Sequence, residues 1–370
     1  MTTIDTGGKA LHSQQQDGRE SGFLDRGNQP FLYRWSKDGE ECYRLEQVTT
    51  LPGIFKVPVP PELILARHQL PTAMVVVSER AGGVTQFLEW LQLTPAAKPV
   101  PGAPASRGKG GAKQSRDSRW LTFELDGDDG QLDRIEQAEQ VSLIVDRTLS
   151  SAQSASVRDQ LAALAGLIED RNWWRKGNRL VCLTRDIHEL RSDLLYSSLL
   201  SRGHSFRLPH FMPSELDGWV EELVAKHRID VRPKPGGEIR QISQEVRRWV
   251  GGQPTLTQFL FRLVDDGLAA NPENLKSAFW RQGEFLATHP PHIVFRWREE
   301  LTHLLEDAGV RRRFEVYTSG DSKPLDSKDF DWPDVALFLA GWVGENAEGS
   351  WGIRGKCHER WARLILRGSL

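Results

Sequence analysis

A parallel-sheet α/β domain followed by helical units is the fold class this sequence predicts, and three observations carry it. Short β-branched runs without polar alternation, TAMVVV at 72–77, VSLIVD at 141–146 and RLVCLT at 179–184, read as strands buried on both faces. Helical patterns lie among them at 84–93 and 156–171, as β-α alternation requires. From 239 to 285 helical patterns follow one another with no strand signal between them.

Taken in order, residues 1–28 are rich in Gly, Gln, Ser and Asp with almost no aromatics, so disorder is expected there. Residues 31–48 mix apolar and polar positions without a clean period and predict a short strand pair or an irregular cap. The run 72–77, bounded by Pro71 and by Gly82 and Gly83, is the first firm strand. In the segment after it Phe87, Leu88 and Leu91 recur at helical spacing. Strand, glycine turn and helix make the unit on which phosphate-binding loops are built.

Residues 94–119 carry six basic residues against one acidic residue and no apolar period, which predicts a flexible basic insertion. A strand at 120–125 follows, then 141–146, then a helix at 156–171 with Leu161, Leu164 and Ile168 on one face, then 179–184. The α/β domain is expected to end near His227. Helices are expected at 239–250, 255–268, 274–285 and 293–307, and the segment 332–366 reads helix, helix or strand, helix. The partition is therefore 29–230 for the α/β domain, 231–286 for a helical lid and 287–370 for a helix-rich end domain.

Composition narrows the function classes. The chain has 370 residues, 39% of them hydrophobic, and a net charge of −2, which gives no global attraction to nucleic acid or anionic membrane. Mean hydropathy is −0.47 and no apolar run approaches the length needed to span a bilayer. The polar N-terminal segment has no signal-peptide core, so a cytoplasmic location is expected, with no membrane partner. Cys42, Cys182 and Cys357 form no CxxC pair, which argues against a disulfide framework or a zinc knuckle. The 13 tryptophans suit cores and interfaces and lean toward a partner-binding protein. No GxSxG, HExxH or paired Cys–His spacing occurs, so no catalytic residue and no metal ligand is nominated.

Four landmarks then stand in a particular order. After the first strand comes Ser78-Glu79-Arg80-Ala81-Gly82-Gly83-Val84-Thr85. The run Leu143-Ile144-Val145 closes in Asp146-Arg147. The strand at 179–184 and Arg185 precede Phe206-Arg207-Leu208-Pro209-His210-Phe211-Met212-Pro213-Ser214-Glu215. Finally there is Gly251-Gly252-Gln253-Pro254-Thr255-Leu256-Thr257-Gln258. In this order the chain, over roughly 60–366, resembles the AAA-like, STAND-type P-loop ATPase modules of bacteria.

The resemblance implies a P-loop NTPase-like domain, a helical lid and a C-terminal winged-helix-like domain, the last carried by 334–363. It places Val84 where the family has its phosphate-loop lysine, keeps Arg80 and Gly83, and lets Thr85 stand for the magnesium-binding hydroxyl. Without that lysine the β- and γ-phosphates lose their cation, and Glu79 beside the cradle repels a polyanion. Asp146 takes the magnesium-binding place, while Arg147 stands where a glutamate would activate water, a task arginine cannot perform near neutral pH. Pro254 is implied to pack near the adenine, and Gly355 occupies the place of an asparagine in the end domain. The implied vestigial nucleotide site is Arg80, Gly82, Gly83, Thr85, Asp146, Gln253 and Pro254, with no catalytic residue and no tightly held ATP or magnesium.

Plainer readings stand beside these. Gly82, Gly83 and Thr85 also suit a ligand-free strand-to-helix turn, and Asp146 suits pairing with Arg147 or Arg185. His289 and His292, separated by two prolines, read as a loop and not as a metal pair. Trp173 and Trp174 read as the roof of a core edge, and 311–313 as a solvated helix end. The expected function is a catalytically inactive STAND- or AAA-like regulatory or adaptor protein in a bacterial signalling or defence system. Its partner would be a protein effector encoded nearby. The alternatives are an ATP-binding switch and a winged-helix DNA-binding regulator that uses the basic insertion.

Overall fold

A computed structural model describes residues 34–37, 40–48, 62–66, 70–80, 82–91, 119–123, 130–146, 155–184, 204–229, 237–271, 274–325 and 330–369. The expectations for 1–28, for the basic insertion at 94–118 and for Arg147 and Arg185 fall outside these residues.

The five-residue run β4 (Ala73–Val77) is buried at every position, as a strand covered on both faces must be. It lies at the centre of an eight-stranded sheet and pairs in parallel with β7 (Arg179–Thr184) on one side and β8 (His204–Arg207) on the other. Beyond β7 come β6 (Val141–Asp146) and β5 (Arg119–Phe123), both parallel. Beyond β8 the sheet turns antiparallel through β2 (Glu40–Val48), which also pairs with β1 (Arg34–Lys37) and β3 (Glu62–Ala66). The sequence expectation of a parallel sheet holds for five strands, and the short strand pair expected within 31–48 is β1–β2, which with β3 extends that sheet antiparallel. Strands β3 and β8 escaped the pattern because ELILA and HSFR are short and carry no flanking strand signature.

Register fixes what the sheet presents. Val77 lies opposite Thr184 and Asp146 opposite Leu183, so β4, β6 and β7 end level along one carboxyl edge. The helices α1 (Val84–Trp90), α2 (Gly130–Gln137), α3 (Ala155–Glu169) and α4 (Arg171–Arg175) belong to this half. Leu161, Leu164 and Ile168 of α3 are all buried, on the face the sequence assigned. Trp173 is buried and donates its indole N–H to the Ile135 carbonyl at 3.1 Å, while half-buried Trp174 donates to Ile168 at 2.6 Å. The pair therefore roofs a core edge with both polar handles satisfied.

The chain continues into α5 (Pro213–His227), α6 (Glu238–Val250), α7 (Pro254–Ala270) and α8 (Leu275–Thr288). The helix expected at 293–307 is α9 (His292–Leu304), and a further helix, α10 (Ala308–Thr318), follows it without having been assigned from the sequence. The break is local: Asp307 accepts from the Gly309 and Val310 N–H groups at 2.7 and 3.1 Å and starts a new helix. Residues 311–313 consequently sit inside α10 and not at a helix end, with Arg311 and Arg312 exposed as expected. Arg313 binds Asp334 through Nη1 at 2.8 Å and Asp331 through Nη2 at 2.9 Å. Burial alone would raise the Asp334 carboxyl, but bonds from Lys323 and Tyr317 hold it below the usual carboxylate range.

A three-stranded antiparallel sheet closes the chain, with order β10 (Val343–Glu345), β11 (Ser350–Ile353), β9 (Lys323–Pro324). Helix α11 (Trp332–Leu339) precedes its hairpin and α12 (Lys356–Leu366) follows it. Among the described residues α11 is the one helix between β9 and the hairpin, where a helix-turn-helix needs two.

Two glycines give a contrast in stability. A Cβ at Gly283 of α8 would lie 2.4 Å from the buried Trp249 ring, whereas a Cβ at Gly218 of α5 would meet nothing. Gly283→Ala should lose about 1–3 kcal/mol by overpacking. Gly218→Ala should gain about 0.5–1 kcal/mol through helix propensity. Urea unfolding midpoints of the two variants check both signs.

Candidate phosphate-loop site

The loop at 78–83 leaves the carboxyl end of β4, the edge at which open α/β sheets bind ligands. A phosphate cradle needs backbone N–H groups free to face an anion. Here three of them are spent inside the protein. Ser78 N–H donates to the Thr184 carbonyl at 2.9 Å, Arg80 N–H to Leu339 at 2.9 Å and Gly82 N–H to Glu79 at 3.1 Å. The loop also folds tightly on itself, because a Cβ at Gly82 would sit 2.5 Å from Ser78 Oγ. Gly83 then opens α1 by accepting from Phe87 N–H at 3.1 Å. Thr85 lies in the first turn of α1, with Val84 before it.

Two side chains of the loop are claimed by distant elements. Arg80 pairs through Nη2 with Glu300 of α9 at 2.8 Å. Glu79 is 2% exposed, and its carboxylate contacts both the Arg354 guanidinium and His210 Nε2. Arg354 itself is wholly buried. Burial, and after it the Arg354 charge, hold the His210 imidazole well below its ordinary range, so the ring is neutral. Arg44 braces the same point. It donates to the His210 carbonyl at 2.7 Å and pairs with Glu215 at 2.9 Å.

The turn 251–253 closes the arrangement from the lid side. Phe211 N–H donates to the Gly252 carbonyl at 2.9 Å, and buried Gln253 donates through Nε2 to the Arg80 carbonyl at 2.8 Å. With Nε2 so used, Gln253 Oε1 is an acceptor, 3.0 Å from His358 Nε2, which fixes the proton on that nitrogen. His358 is buried among Trp297, Trp342 and Trp361, with ring centroids 6.3, 6.1 and 5.8 Å away. Burial, helped by Arg354, pushes its pKa down to about 3. Pro254 stands at the first turn of α7, where its missing N–H costs nothing.

The structure thus gathers Arg80, Gly82, Gly83, Gln253 and Pro254 at one joint. Asp146 ends β6, half-buried, two strands from β4, or roughly 10 Å by strand spacing. Sequence reading missed His210, Leu339, Arg354 and His358. Arg354 and His358 lie more than 270 residues from the loop, and nothing in their local pattern marks them. Gly355, in the asparagine place, is explained by space: its Cβ would sit 2.7 Å from the Trp249 carbonyl oxygen. A small cavity beside the joint, lined by Arg207, His210, Arg247, Phe338, Glu345 and Arg354, encloses about 30 Å³. That is about one water's share of liquid volume.

Among the described residues no group of three His, Cys, Asp or Glu side chains is placed to hold a metal ion. His289 ends α8 and stacks on Phe285 at 4.4 Å. No described helix is long and apolar enough to cross a membrane.

No family model and no curated protein matches the chain. Among solved structures it is similar to RuvB of Thermotoga maritima. One variant is 14% identical, with 77% of this chain and 86% of that chain covered and a TM-score of 0.42. A second variant gives 15%, the same coverage and 0.40.

Neutral, half-buried His210 and neutral, buried His358 make stability depend on pH. Each has a folded pKa below its unfolded value, so the stabilisation is complete above the unfolded pKa and is lost as pH falls through it. Each histidine should therefore cost about 1.4 kcal/mol per pH unit below about 6.5. Unfolding free energies of the wild type should fall between pH 7 and pH 5, and His358→Gln should flatten that slope by about one proton. An unchanged slope in the variant would contradict the neutral assignment.

Proposed function

We propose that this chain is a non-catalytic regulatory or adaptor module that holds a protein partner and does not cycle ATP. One observation carries the reading: the Arg80 N–H, the Arg80 guanidinium and the Glu79 carboxylate of the loop after β4 are already bound to Leu339, Glu300 and Arg354 of the C-terminal unit. Val84 in the lysine place removes the remaining cation. A nucleotide would have to displace Arg354 from Glu79 and then bind beside a carboxylate. Both steps cost free energy that no nearby lysine returns.

Support for a protein partner comes from exposed aromatics. Trp280 is 56% exposed, and Phe285, Phe295 and Trp332 are exposed as well. Large rings at a surface serve interfaces better than they serve solvent. The resemblance to STAND-type modules suggests a bacterial signalling or defence setting, with the effector on a separate chain in the same cytoplasm.

Calorimetric titration of Mg·ATP tests the reading. Neither the wild type nor Val84→Lys should bind more tightly than about 1 mM, since a restored lysine does not free the spent N–H groups. Micromolar binding by the wild type would sink the proposal. Binding by Val84→Lys alone would show that the lost lysine, and not the closed loop, is what matters. For the partner, tagged chain purified from its native host should bring down one specific protein, and Trp280→Ser should reduce its recovery. Recovery of no specific protein overturns the adaptor reading.

A further inference from the structure

Arg354 is housed with unusual care. Its side chain is wholly buried and runs between two glycines: a Cβ at Gly251 would lie 2.6 Å from Arg354 Cβ, and one at Gly344 would lie 2.7 Å from Cζ. The Phe338 ring lies 5.1 Å from the guanidinium carbon, and Arg207 covers the same ring at 5.3 Å. At the end of this sleeve stand His210 and the Glu79 carboxylate. Arg207 and Arg247 line the adjoining cavity, where Glu345 pairs with Arg247 at 2.9 Å. A planar guanidinium held in a buried sleeve, with further arginines behind it, is a site for a small oxyanion.

We propose that Arg354 and His210 form an anion-binding site whose occupant is supplied by the chain itself, the Glu79 carboxylate. The contact latches the C-terminal unit to the end of β4 without any diffusible ligand. The ligand class is a monovalent carboxylate. Glu79 is thus a positive element of the closed state and not only an obstacle to phosphate. The latch ties together the end of β4 (Glu79), the segment before α5 (His210), the lid turn (Gly251), the C-terminal sheet (Gly344) and the strand–helix connection after it (Arg354). This rests on the closed-loop reading, but its test does not involve ATP, so the two fail separately.

Chemical rescue tests the site. Removing the carboxylate with Glu79→Ala leaves room beside Arg354 for formate. Thermal unfolding of E79A in sodium formate should then rise by about 3 °C over the same concentration of sodium chloride. The wild type and the double variant E79A/R354M should show no difference between the two salts. If E79A folds poorly in chloride, its refolding yield in formate against chloride is the readout, with the same double variant as control. Formate acting no better than chloride, or acting equally on E79A/R354M, overturns the proposal. The latch is read separately in Glu79→Gln, which keeps the volume and removes the charge. Amide exchange in β4 and in the β10–β11 hairpin should accelerate together by about tenfold or more. Unchanged exchange at either end overturns the latch.

Discussion

A carboxylate taken out of water must find a cation or lose its charge, because neither water nor a polarisable neighbour remains to solvate it. Glu79, 2% exposed at the end of the central strand, is held under that constraint, and much of the tertiary arrangement follows from how it is met. Its cation is Arg354, which the chain delivers from the last strand–helix connection of the C-terminal unit. Bringing Arg354 there requires α6 to end in the Gly251–Gly252 turn and β10 to carry Gly344, since any side chain at Gly251 or Gly344 would collide with it. It also brings α11 close enough for Leu339 to accept from Arg80 N–H. One buried charge thereby decides where three parts of the molecule sit.

That arrangement alters what the loop after β4 can do. A strand, a glycine turn and a helix present N–H groups to an anion only if those groups lack other acceptors. Here Thr184, Leu339 and Glu79 supply the acceptors, and Gln253 fills the opposite side by donating to the Arg80 carbonyl. Three of the loop's N–H groups are thus taken up by protein. Gln253 then passes the constraint to His358, whose neutral ring is confined by three tryptophans. Some of the 13 tryptophans counted in the sequence find their use in this joint and in the C-terminal core.

Much of the architecture was legible because it rests on local signals. Runs such as AMVVV and LIV can be buried on both faces only in a covered sheet, and the Leu161, Leu164, Ile168 spacing can serve only a helix. The proline at the start of α7 and the glycines before it fixed a turn without reference to the rest of the chain. The strand pair β1–β2 falls within the range the sequence offered at 31–48, whereas β3 and β8 were not legible because their own patterns are too short, and β8 in addition joins β2 from far along the chain. Helix α10 was not assigned because its start rests on a single capping carboxylate, Asp307, and not on apolar spacing.

For the candidate site the division is sharper. Sequence by itself determined that the loop has no lysine at position 84, that a carboxylate stands at 79, and that a Gly-Gly-Gln-Pro turn lies far downstream, because these are properties of residue identity. Only the tertiary structure decided what they mean. It put Arg354 on Glu79, Leu339 on Arg80 and Gln253 between Arg80 and His358, contacts that span from 105 to 275 residues of chain for the side-chain pairs. Charge and hydrogen-bond partners across such distances leave no periodic trace in a sequence, since what selects them is the desolvation of a buried group and not the spacing of its neighbours.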